Sequence, residues 1–357
     1  MLKYLFFIFE IFAGLSFATH KFRCRYSHIL NHNKIWFSSA QPRSRVRRWF
    51  ENNFPPEIFI RIGMFFFHKT KIFNIPKLGI KRHYDLSNDF YKLFLDKKFM
   101  FYTYADFHSE SETLEEAQEN KANYIADLID PKPNEKILDV GCGWGAMMKK
   151  IVSITNDKEN ITGYNLSEAQ VQYIRDELGY KVVLTDAMKA DYPRDYFDKI
   201  YSIGILEHIR NRDLYAFNKI LYNSIKPTGH IVHHFFCQKG DVPPPLLLLA
   251  LDIFPGSELA SFDRHRRVFE KSGFRIAHHS IHDYRQTLKA WFINLVKNKN
   301  KAIELVGVRE YNRYLSFFAC SYRLFDEQLL ICNRFVLKPI KQVSRQQKNM
   351  KKYSLQI

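Results

Sequence analysis

Residues 137–154 constrain the fold more than any other segment, because a short strand, a glycine-rich turn and a helix follow one another there. The turn carries Gly141, Gly143 and Gly145 in the spacing Gly-x-Gly-x-Gly. Glycine lets the backbone turn sharply and approach a ligand closely, and the first N–H groups of the following helix are free to bind it. The segment therefore predicts a ligand-binding strand–turn–helix unit of an α/β protein.

Short β-rich runs alternate with helical stretches from residue 136 onward, a pattern typical of a parallel sheet covered by helices. Helical apolar spacing is also present earlier, over residues 84–95 and 113–129, and it ends at a breaker with two prolines, residues 130–133. We expect a helical cap followed by a mostly parallel, seven-stranded sheet. The candidate strands are residues 136–140, 160–164, 181–184, 199–202, 230–236, 274–280 and 329–336.

An apolar insertion separates the fifth and sixth candidate strands. Residues 238–261 contain three consecutive prolines and four consecutive leucines. A loop this apolar predicts a lid. The five cysteines, an odd number, form no Cys-x-x-Cys pair and do not cluster with histidines, so a disulfide scaffold and a structural zinc site are disfavoured. No metal site is predicted.

The glycine turn distinguishes between classes of nucleotide site. A Walker-type phosphate loop needs Gly-Lys-Ser/Thr, whereas Gly145 is followed by Ala146 and Met147. A dinucleotide site needs Gly-x-Gly-x-x-Gly and an acidic residue at the end of the second strand, where this chain has Asn165. S-adenosylmethionine, whose carboxylate and adenosine fit such a turn, is the better candidate. A tight turn that binds nothing is the alternative.

Basic residues are concentrated at the two ends of the chain. Lys and Arg number 54 against 37 Asp and Glu, which gives a formal net charge of +17. Residues 1–50 hold nine of these cations and one acid, and residues 338–357 hold six cations and no acid. The body between them is nearly neutral. Such ends suit an anionic partner, which could be a nucleic acid, an acidic substrate or a phospholipid membrane surface, and charge alone does not choose among them. A solvated tail is the alternative.

The N-terminal residues indicate targeting or anchoring. Residues 1–18 have an early lysine, an apolar run and small residues at the spacing of a signal cleavage site, and residues 19–50 are basic and lack acids. The apolar run contains Glu10 and is shorter than the roughly 20 residues that span a bilayer. We predict a signal anchor or an organelle transit peptide, on a protein that is peripheral to a membrane or cytoplasmic.

Five motifs carry a family resemblance. They are His83-Tyr-Asp-Leu-Ser-Asn-Asp-Phe-Tyr91 with Leu95-Asp96, Asp139-Val-Gly-Cys-Gly-Trp-Gly145, Ser202-Ile-Gly-Ile-Leu-Glu-His208, Ile253-Phe-Pro-Gly256 and Tyr284-Arg-Gln-Thr-Leu-Lys-Ala-Trp291. In sequence and order they resemble the cyclopropane fatty acyl phospholipid synthases and their mycolic acid relatives, which are S-adenosylmethionine-dependent methyltransferases. The similarity extends from about residue 80 to residue 336. It implies a Rossmann-like class I methyltransferase fold.

The predicted organisation follows from the resemblance and from the composition. Residues 1–75 form the targeting or anchor segment with a basic linker, and residues 76–130 form the helical cap. Residues 131–337 form the methyltransferase domain, with its lid at about 238–261. Residues 338–357 form the basic tail.

The resemblance implies methyl transfer to a cis double bond of an acyl chain, followed by proton loss from the carbocation and ring closure. Such chemistry needs exclusion of water and a fixed base rather than a protein nucleophile. The family's base site, which holds bicarbonate, falls on Glu207, His234 and Tyr284. Cys320 matches a cysteine that is often assigned a catalytic role, although a thiol has no obvious step here.

The resemblance also implies which residues contact S-adenosylmethionine. They lie before the first strand, on the glycine turn and after the second and third strands. The residues are Tyr102, Thr103, Asp139, Gly141, Gly143, Gly145, Asn165, Leu166, Gln170, Asp186 and Ala187.

Four places depart from the family's pattern, and they leave the product open between a cyclopropane and a methyl-branched or methylene chain. The departures are Tyr104 in place of a cysteine beside the base site, Phe235-Phe236 in place of Thr-Ile after His234, Asn165 in place of a threonine, and Ala187 in place of an aromatic residue.

Other functions stay open. Residues 206–211 and the run after His234 also resemble coclaurine-type N-methyltransferases, which act on small amines. A non-catalytic, membrane-associated homologue is a further alternative, against which the intact glycine turn and Glu207 count. The fourth strand lacks the Asn/Asp-Pro-Pro-aromatic motif of amino-base methyltransferases, so no nucleic-acid partner is predicted. The sequence leaves the oligomeric state open, a homodimer included.

Overall fold

The computed structural model describes residues 88–240 and 259–341. The predicted N-terminal targeting segment, most of the predicted lid and the tail beyond Lys341 lie outside the described residues. So do the motif at residues 253–256 and the first five residues of the motif that begins at His83. Within the described ranges, no helix combines the length and the apolar character needed to cross a bilayer.

One seven-stranded sheet has the strand order β3-β2-β1-β4-β5-β7-β6. The pairs β1–β2, β1–β4, β2–β3 and β4–β5 are parallel. The α/β fold and all seven predicted strands are confirmed, and β5 begins five residues earlier than expected. The strands are β1 (Ile137–Val140), β2 (Ile161–Asn165), β3 (Val182–Leu184), β4 (Phe197–Ile203), β5 (Ile225–Gln238), β6 (Phe274–His282) and β7 (Leu330–Pro339).

Eight α-helices are present in the described residues. A π-helical turn, Ile174–Leu178, continues the fourth of them, and a 3₁₀ turn, Leu206–His208, follows β4. The helices are α1 (Asn88–Tyr91), α2 (Leu114–Ile129), α3 (Ala146–Thr155), α4 (Glu168–Tyr173), α5 (Leu214–Ser224), α6 (Phe262–Ser272), α7 (Arg285–Lys297) and α8 (Lys299–Asp326).

A capping box explains where α2 begins. The Thr113 hydroxyl accepts the Glu116 backbone N–H at 3.2 Å, and the Glu116 carboxylate accepts the Thr113 N–H at 2.8 Å. These bonds satisfy donors that a helix start otherwise leaves unpaired. The helix ends before Asp130, which has a left-handed φ of 46° and precedes a proline. The prediction of a helix over residues 113–129 is confirmed.

The helix predicted over residues 84–95 is wrong at its C-terminal end, because α1 ends at Tyr91. The chain then turns toward Asp96, whose carboxylate accepts three backbone N–H groups from the residues that follow. Met100 takes a left-handed φ of 54° within this turn. Apolar spacing alone does not reveal a carboxylate that competes for backbone donors.

The described residues divide into two compact units. The first consists of residues 88–120, 237–240, 259–261 and 282–332, and the second of residues 121–236, 262–281 and 333–341. Almost all of the sheet belongs to the second unit. In the first unit, the two chain segments that flank the predicted lid are joined, because the Gln238 N–H donates to the Ala260 carbonyl at 3.1 Å. The predicted domain boundaries stay predictions.

The two faces of β5 contact different helices of the second unit. The His230 ring nitrogen Nε2 lies 3.0 Å from the Leu128 carbonyl oxygen of α2. The His233 ring stacks on Phe269 of α6, with ring centroids 5.7 Å apart. Side chains alternate across a strand, so His234 shares the face of His230. His234 and its neighbour His233 therefore lie on opposite faces of β5.

Candidate active site

The chain order of the sheet reverses between β1 and β4. In open α/β sheets, ligands bind outside the carboxyl ends of the strands at such a point. The glycine turn follows β1 and the turn that carries Glu207 follows β4, so the sheet brings both to this edge.

The glycine turn is left-handed at each glycine, with φ of 83° at Gly141, 53° at Gly143 and 76° at Gly145. A Cβ atom at Gly141 would overlap the side chain of Ile205, whereas a Cβ at Gly143 would meet nothing within 4 Å. The turn is therefore packed against the protein at its start and faces open space at its centre. A ligand has room at Gly143.

Asn165 connects the glycine turn with the end of β2. Its Nδ2 donates to the Gly143 carbonyl at 2.9 Å and to the Gln170 Oε1 at 3.1 Å, and its Oδ1 accepts the Ser167 N–H at 3.1 Å. The second unit thus brings three predicted cofactor residues together. The Gln170 Nε2 is buried and has no hydrogen-bond partner among the described residues. It is a donor that a bound ligand would satisfy.

The other predicted cofactor residues of the second unit lie nearby in the chain but differ in burial. Leu166, Asp186 and Ala187 are half-buried, and Asp186 accepts the Met188 N–H at 3.0 Å. Asp139, in contrast, is 2% exposed, and burial raises its pKa to about 8. Its carboxyl group is therefore mainly neutral near pH 7. Cofactor contact by these four residues stays a prediction.

Glu207 is a buried carboxyl group with one free oxygen. Its Oε1 accepts the Phe236 backbone N–H at 3.0 Å, and its Oε2 is buried without a hydrogen-bond partner among the described residues. Burial raises the pKa of Glu207 to about 8. A neutral Glu207 offers one proton donor and an acceptor at the same place.

His234 is fixed by a residue that the sequence reasoning missed. The Arg334 Nε donates to the His234 Nδ1 at 3.0 Å, and both side chains are buried. Arg334 lies in β7, whose neighbour in the sheet is β5. The available sequence signal was Arg334 itself, the one charged residue in the β-rich run over residues 329–336. This contact and the bond between Glu207 and Phe236 both lie near the end of β5.

In the first unit, the Trp291 ring lies beside two of the predicted site residues. Its ring lies 5.1 Å from the Tyr102 ring and 5.6 Å from the Tyr284 ring, centroid to centroid. Tyr104, which replaces the family's cysteine, packs edge-on against Tyr284 at 5.5 Å. The first unit therefore places a predicted cofactor residue and a predicted catalytic residue beside one indole, and the departure Tyr104 beside that catalytic residue.

Asp96 shapes the segment that leads to Tyr102. Its Oδ2 accepts the N–H groups of Phe99 at 2.6 Å and Met100 at 3.1 Å, and its Oδ1 accepts that of Phe101 at 2.9 Å. Charge-assisted bonds of this kind are strong, and Asp96 is fully buried. The Asp96 in the first sequence motif is thus a loop organiser. Thr103 follows, and its carbonyl accepts the Gln118 side-chain N–H at 3.1 Å.

Cys320 lies in α8, and its side chain is buried. Burial raises the pKa of its thiol to about 12. The thiol is therefore neutral near pH 7, whereas the nucleophilic form of cysteine is the thiolate. A catalytic role for Cys320 stays a prediction.

The four predicted catalytic residues are divided between the units, with Glu207 and His234 in the second and Tyr284 and Cys320 in the first. Each unit organises its own members. The sheet order, the glycine turn and the carboxyl edge together define a class I S-adenosylmethionine-dependent methyltransferase. The family is more specific: the model of the mycolic acid cyclopropane synthetase family matches residues 75–335, and this chain belongs to that family.

Relatives agree with this assignment. Cyclopropane mycolic acid synthase 3 of Mycobacterium tuberculosis is 31% identical over 286 residues, which cover 74% of this chain and 98% of the relative. The crystal structure of mycolic acid cyclopropane synthase CmaA1 complexed with SAH and CTAB is 27% identical, with a TM-score of 0.68. The matched region covers 73% of this chain and 98% of the CmaA1 chain. S-adenosylmethionine is the methyl donor of this chain.

Coclaurine N-methyltransferase, the rival considered from the sequence, shares the fold. Its crystal structure bound to N-methylheliamine and SAH has a TM-score of 0.63 and 17% identity, and covers 88% of this chain and 95% of its own. A likeness at this identity concerns architecture alone.

Proposed function

We propose that this methyltransferase adds one carbon to the cis double bond of an unsaturated phospholipid acyl chain, giving a cyclopropane or a methyl-branched product. The observation that carries the proposal is the buried Glu207, whose Oε2 has no partner among the described residues, at the carboxyl edge beside the glycine turn. A carboxyl group so placed suits proton transfer.

The proposed base site contains Glu207 and His234. Glu207, with its pKa raised to about 8, holds a proton near pH 7 and can donate it in a hydrogen bond to an anion. His234 accepts from Arg334 at Nδ1, which leaves Nε2 as the protonated nitrogen of the neutral ring. Two such donors, both in the second unit, fit a small oxyanion such as bicarbonate. Bicarbonate would supply the base for the proton lost by the substrate.

The proposed reaction also needs a site from which water is excluded. Water would capture a carbocation, so the reacting centre must be dry. The first unit has the composition for this, because aromatic side chains surround Trp291 and Tyr284. The electron-rich faces of such rings also stabilise positive charge. The rings within about 6 Å of Trp291 or Tyr284 are Phe94, Tyr102, Tyr104, Phe318 and Phe325.

S-adenosylmethionine supplies an electrophilic methyl group when bound. The chain's own contribution is a place for it: open space at Gly143, the free Gln170 Nε2 and the bonds by which Asn165 fixes both. We propose that these three residues hold the donor.

The distribution of charge along the chain supports a phospholipid as the substrate. Cations dominate both ends of the chain, and the body between them is nearly neutral. A membrane with anionic lipids would attract such ends and present unsaturated acyl chains to the body. We therefore propose a peripheral encounter with a phospholipid surface as the source of substrate.

The test is incubation of the purified chain with S-adenosylmethionine labelled in the methyl group. Vesicles of unsaturated phospholipid, vesicles of saturated phospholipid and a panel of amines are offered separately. We expect label in the unsaturated lipid alone, with a mass increase of one methylene. Label in the amines would establish the N-methyltransferase alternative. A chain that binds S-adenosylmethionine and labels nothing would establish the non-catalytic one.

A further inference from the structure

Arg334 is fully buried in strand β7, and its side chain ends against His234. Its Nε lies 3.0 Å from the Nδ1 of that histidine, and its guanidinium carbon lies 4.9 Å from the centre of the Tyr124 ring. A guanidinium has only donors. The bond therefore requires an unprotonated Nδ1.

This requirement fixes the tautomer of His234. A neutral imidazole carries one proton, and with Nδ1 accepting from Arg334 that proton is on Nε2. A doubly protonated ring would place an N–H against the Arg334 N–H, which is repulsive. The pair thus holds His234 neutral, with a hydrogen-bond donor at the far side of the ring.

The surroundings hold the guanidinium in place. The Tyr124 face packs against it, and the Tyr124 hydroxyl is itself placed by His278 Nε2 at 3.1 Å and Ser280 Oγ at 3.3 Å. The residue before Arg334 is anchored as well, since the Asn333 Oδ1 lies 3.0 Å from His279 Nε2. Because the Tyr124 ring packs against the planar guanidinium, the Nε–H bond of Arg334 keeps one direction. The geometry of its hydrogen bond to His234 is therefore fixed.

We propose that Arg334 is a positioning residue of the methyl-transfer site: it keeps His234 as an Nε2–H donor and places a fixed positive charge behind the ring. Both effects favour an anion in front of His234. The inference rests on the proposed function, in which His234 helps to hold bicarbonate. Arg334 would then be a further residue of that site, and it would act by fixing the protonation and position of His234.

Two substitutions separate the two effects. Arg334→Met removes the donor and the charge while keeping a long side chain. Arg334→Gln keeps an amide N–H for His234 and removes the charge together with the two terminal guanidinium nitrogens. Arg275→Met, at an exposed position in β6, is the matched control.

The first readout is NMR of the full chain labelled with ¹⁵N-histidine, with the His234 signals assigned by their loss in His234→Asn. We expect the Nε2–H pattern in the wild type, in Arg334→Gln and in Arg275→Met, and a changed pattern in Arg334→Met. An unchanged tautomer in Arg334→Met overturns the proposal. No substrate is needed, so this result stands even if the lipid assay shows that the proposed function is wrong.

The second readout is methyl transfer in carbon-dioxide-free buffer with added bicarbonate. We expect Arg334→Met to lower kcat about 10- to 100-fold, the loss that is typical when a group that orients a ligand-binding side chain is removed. Arg334→Gln should keep kcat within a few-fold and raise the bicarbonate concentration needed for half-maximal rate. S-adenosylmethionine binding should stay as in the wild type. If Arg334→Met does not fold, Arg334→Gln decides: an unchanged bicarbonate requirement overturns the proposal.

Discussion

The Oε1 atom of Glu207 accepts the backbone N–H of Phe236 at 3.0 Å, two residues beyond His234 in the same strand. The bond ties the turn after β4 to the end of β5. It uses one carboxyl oxygen and leaves Oε2 for a ligand. Among substitutions at Phe236, only proline would remove this backbone donor, so the position of Glu207 depends on the strand and not on a side chain.

Substitution Glu207→Gln tests the proposed proton-transfer role. Glutamine keeps the shape and an acceptor for the Phe236 N–H but cannot exchange a proton. We expect the rate of methylene addition to fall by about 100-fold or more, the lower end of general acid–base contributions. S-adenosylmethionine affinity, measured by calorimetry, should be retained. Glu159→Gln, at an exposed position, is the control, and activity in Glu207→Gln equal to this control would exclude the role.

The same residue predicts a pH dependence of stability. Burial raises the pKa of Glu207 from 4.5 to about 8, so between these values the folded chain keeps a proton that the unfolded chain releases. The free energy of unfolding therefore falls as the pH rises, by about 1.4 kcal/mol per pH unit for one proton, and the loss is complete above the folded pKa. Glu207→Gln lacks this contribution.

Urea unfolding between about pH 6.5 and 7.5 measures the effect, because buried histidines act in the opposite direction below this window. For example, burial lowers the pKa of His233 to about 3. We expect the stability of Glu207→Gln relative to the wild type to increase by about 1 kcal/mol across the window. Asp139 titrates equally in both proteins and cancels. Parallel curves for the two proteins would mean that Glu207 is ionised throughout.

Asp96→Ala should be among the more damaging substitutions in the first unit. It leaves three backbone N–H groups without their acceptor, and the loss of a buried partner costs about 1–3 kcal/mol for each group. Some relaxation of the loop is expected, so we predict a total near 3 kcal/mol by urea unfolding. Asp89→Ala, at an exposed position, should cost less than about 0.5 kcal/mol. Equal losses in both variants would refute the loop-organising role.

Gly143→Ala separates backbone strain from occupation of the turn by the cofactor. The added Cβ meets no protein atom, and the left-handed φ costs about 1–2 kcal/mol. Gly179→Ala is the matched control, because Gly179 has a φ of 63° and open space as well, but lies at the end of the π-helical turn.

We expect similar thermal destabilisation in the two variants, and loss of S-adenosylmethionine affinity in Gly143→Ala alone. Calorimetric titration measures the affinity. Unchanged binding by Gly143→Ala would place the cofactor away from the centre of the turn.

Removal of the tail tests the proposed membrane encounter. The structure decides where to cut, because the Lys341 side chain donates to Asp195 at 2.6 Å and to the Ile225 carbonyl at 2.5 Å. A deletion of residues 342–357 spares these bonds and removes four cations. Each cation near an anionic surface contributes about 1 kcal/mol, so co-sedimentation with anionic vesicles should weaken. Neutral vesicles are the control. Unchanged co-sedimentation with anionic vesicles would make the tail a solvated appendage.

Local patterns predicted much of this protein. β-rich runs and glycine spacing determined seven strands and the ligand turn, since both depend on neighbours in sequence. The apolar spacing over residues 113–129 predicted α2 for the same reason, and the structure adds the Thr113–Glu116 capping box at its start. The end of α1 was missed, because it depends on the Asp96 carboxylate folding back onto donors up to five residues away.

By itself, then, the sequence determined the α/β class, the order of strands and helices, the glycine turn and the family. Only the tertiary structure decided which chemistry each site residue can perform, because burial and partners set protonation. It made Glu207 a neutral acid near pH 7, kept the Cys320 thiol protonated, and placed His234 and His233 on opposite faces of one strand. It also brought Arg334 to His234 across 100 residues of chain, a contact that depends on strand order and not on proximity in sequence.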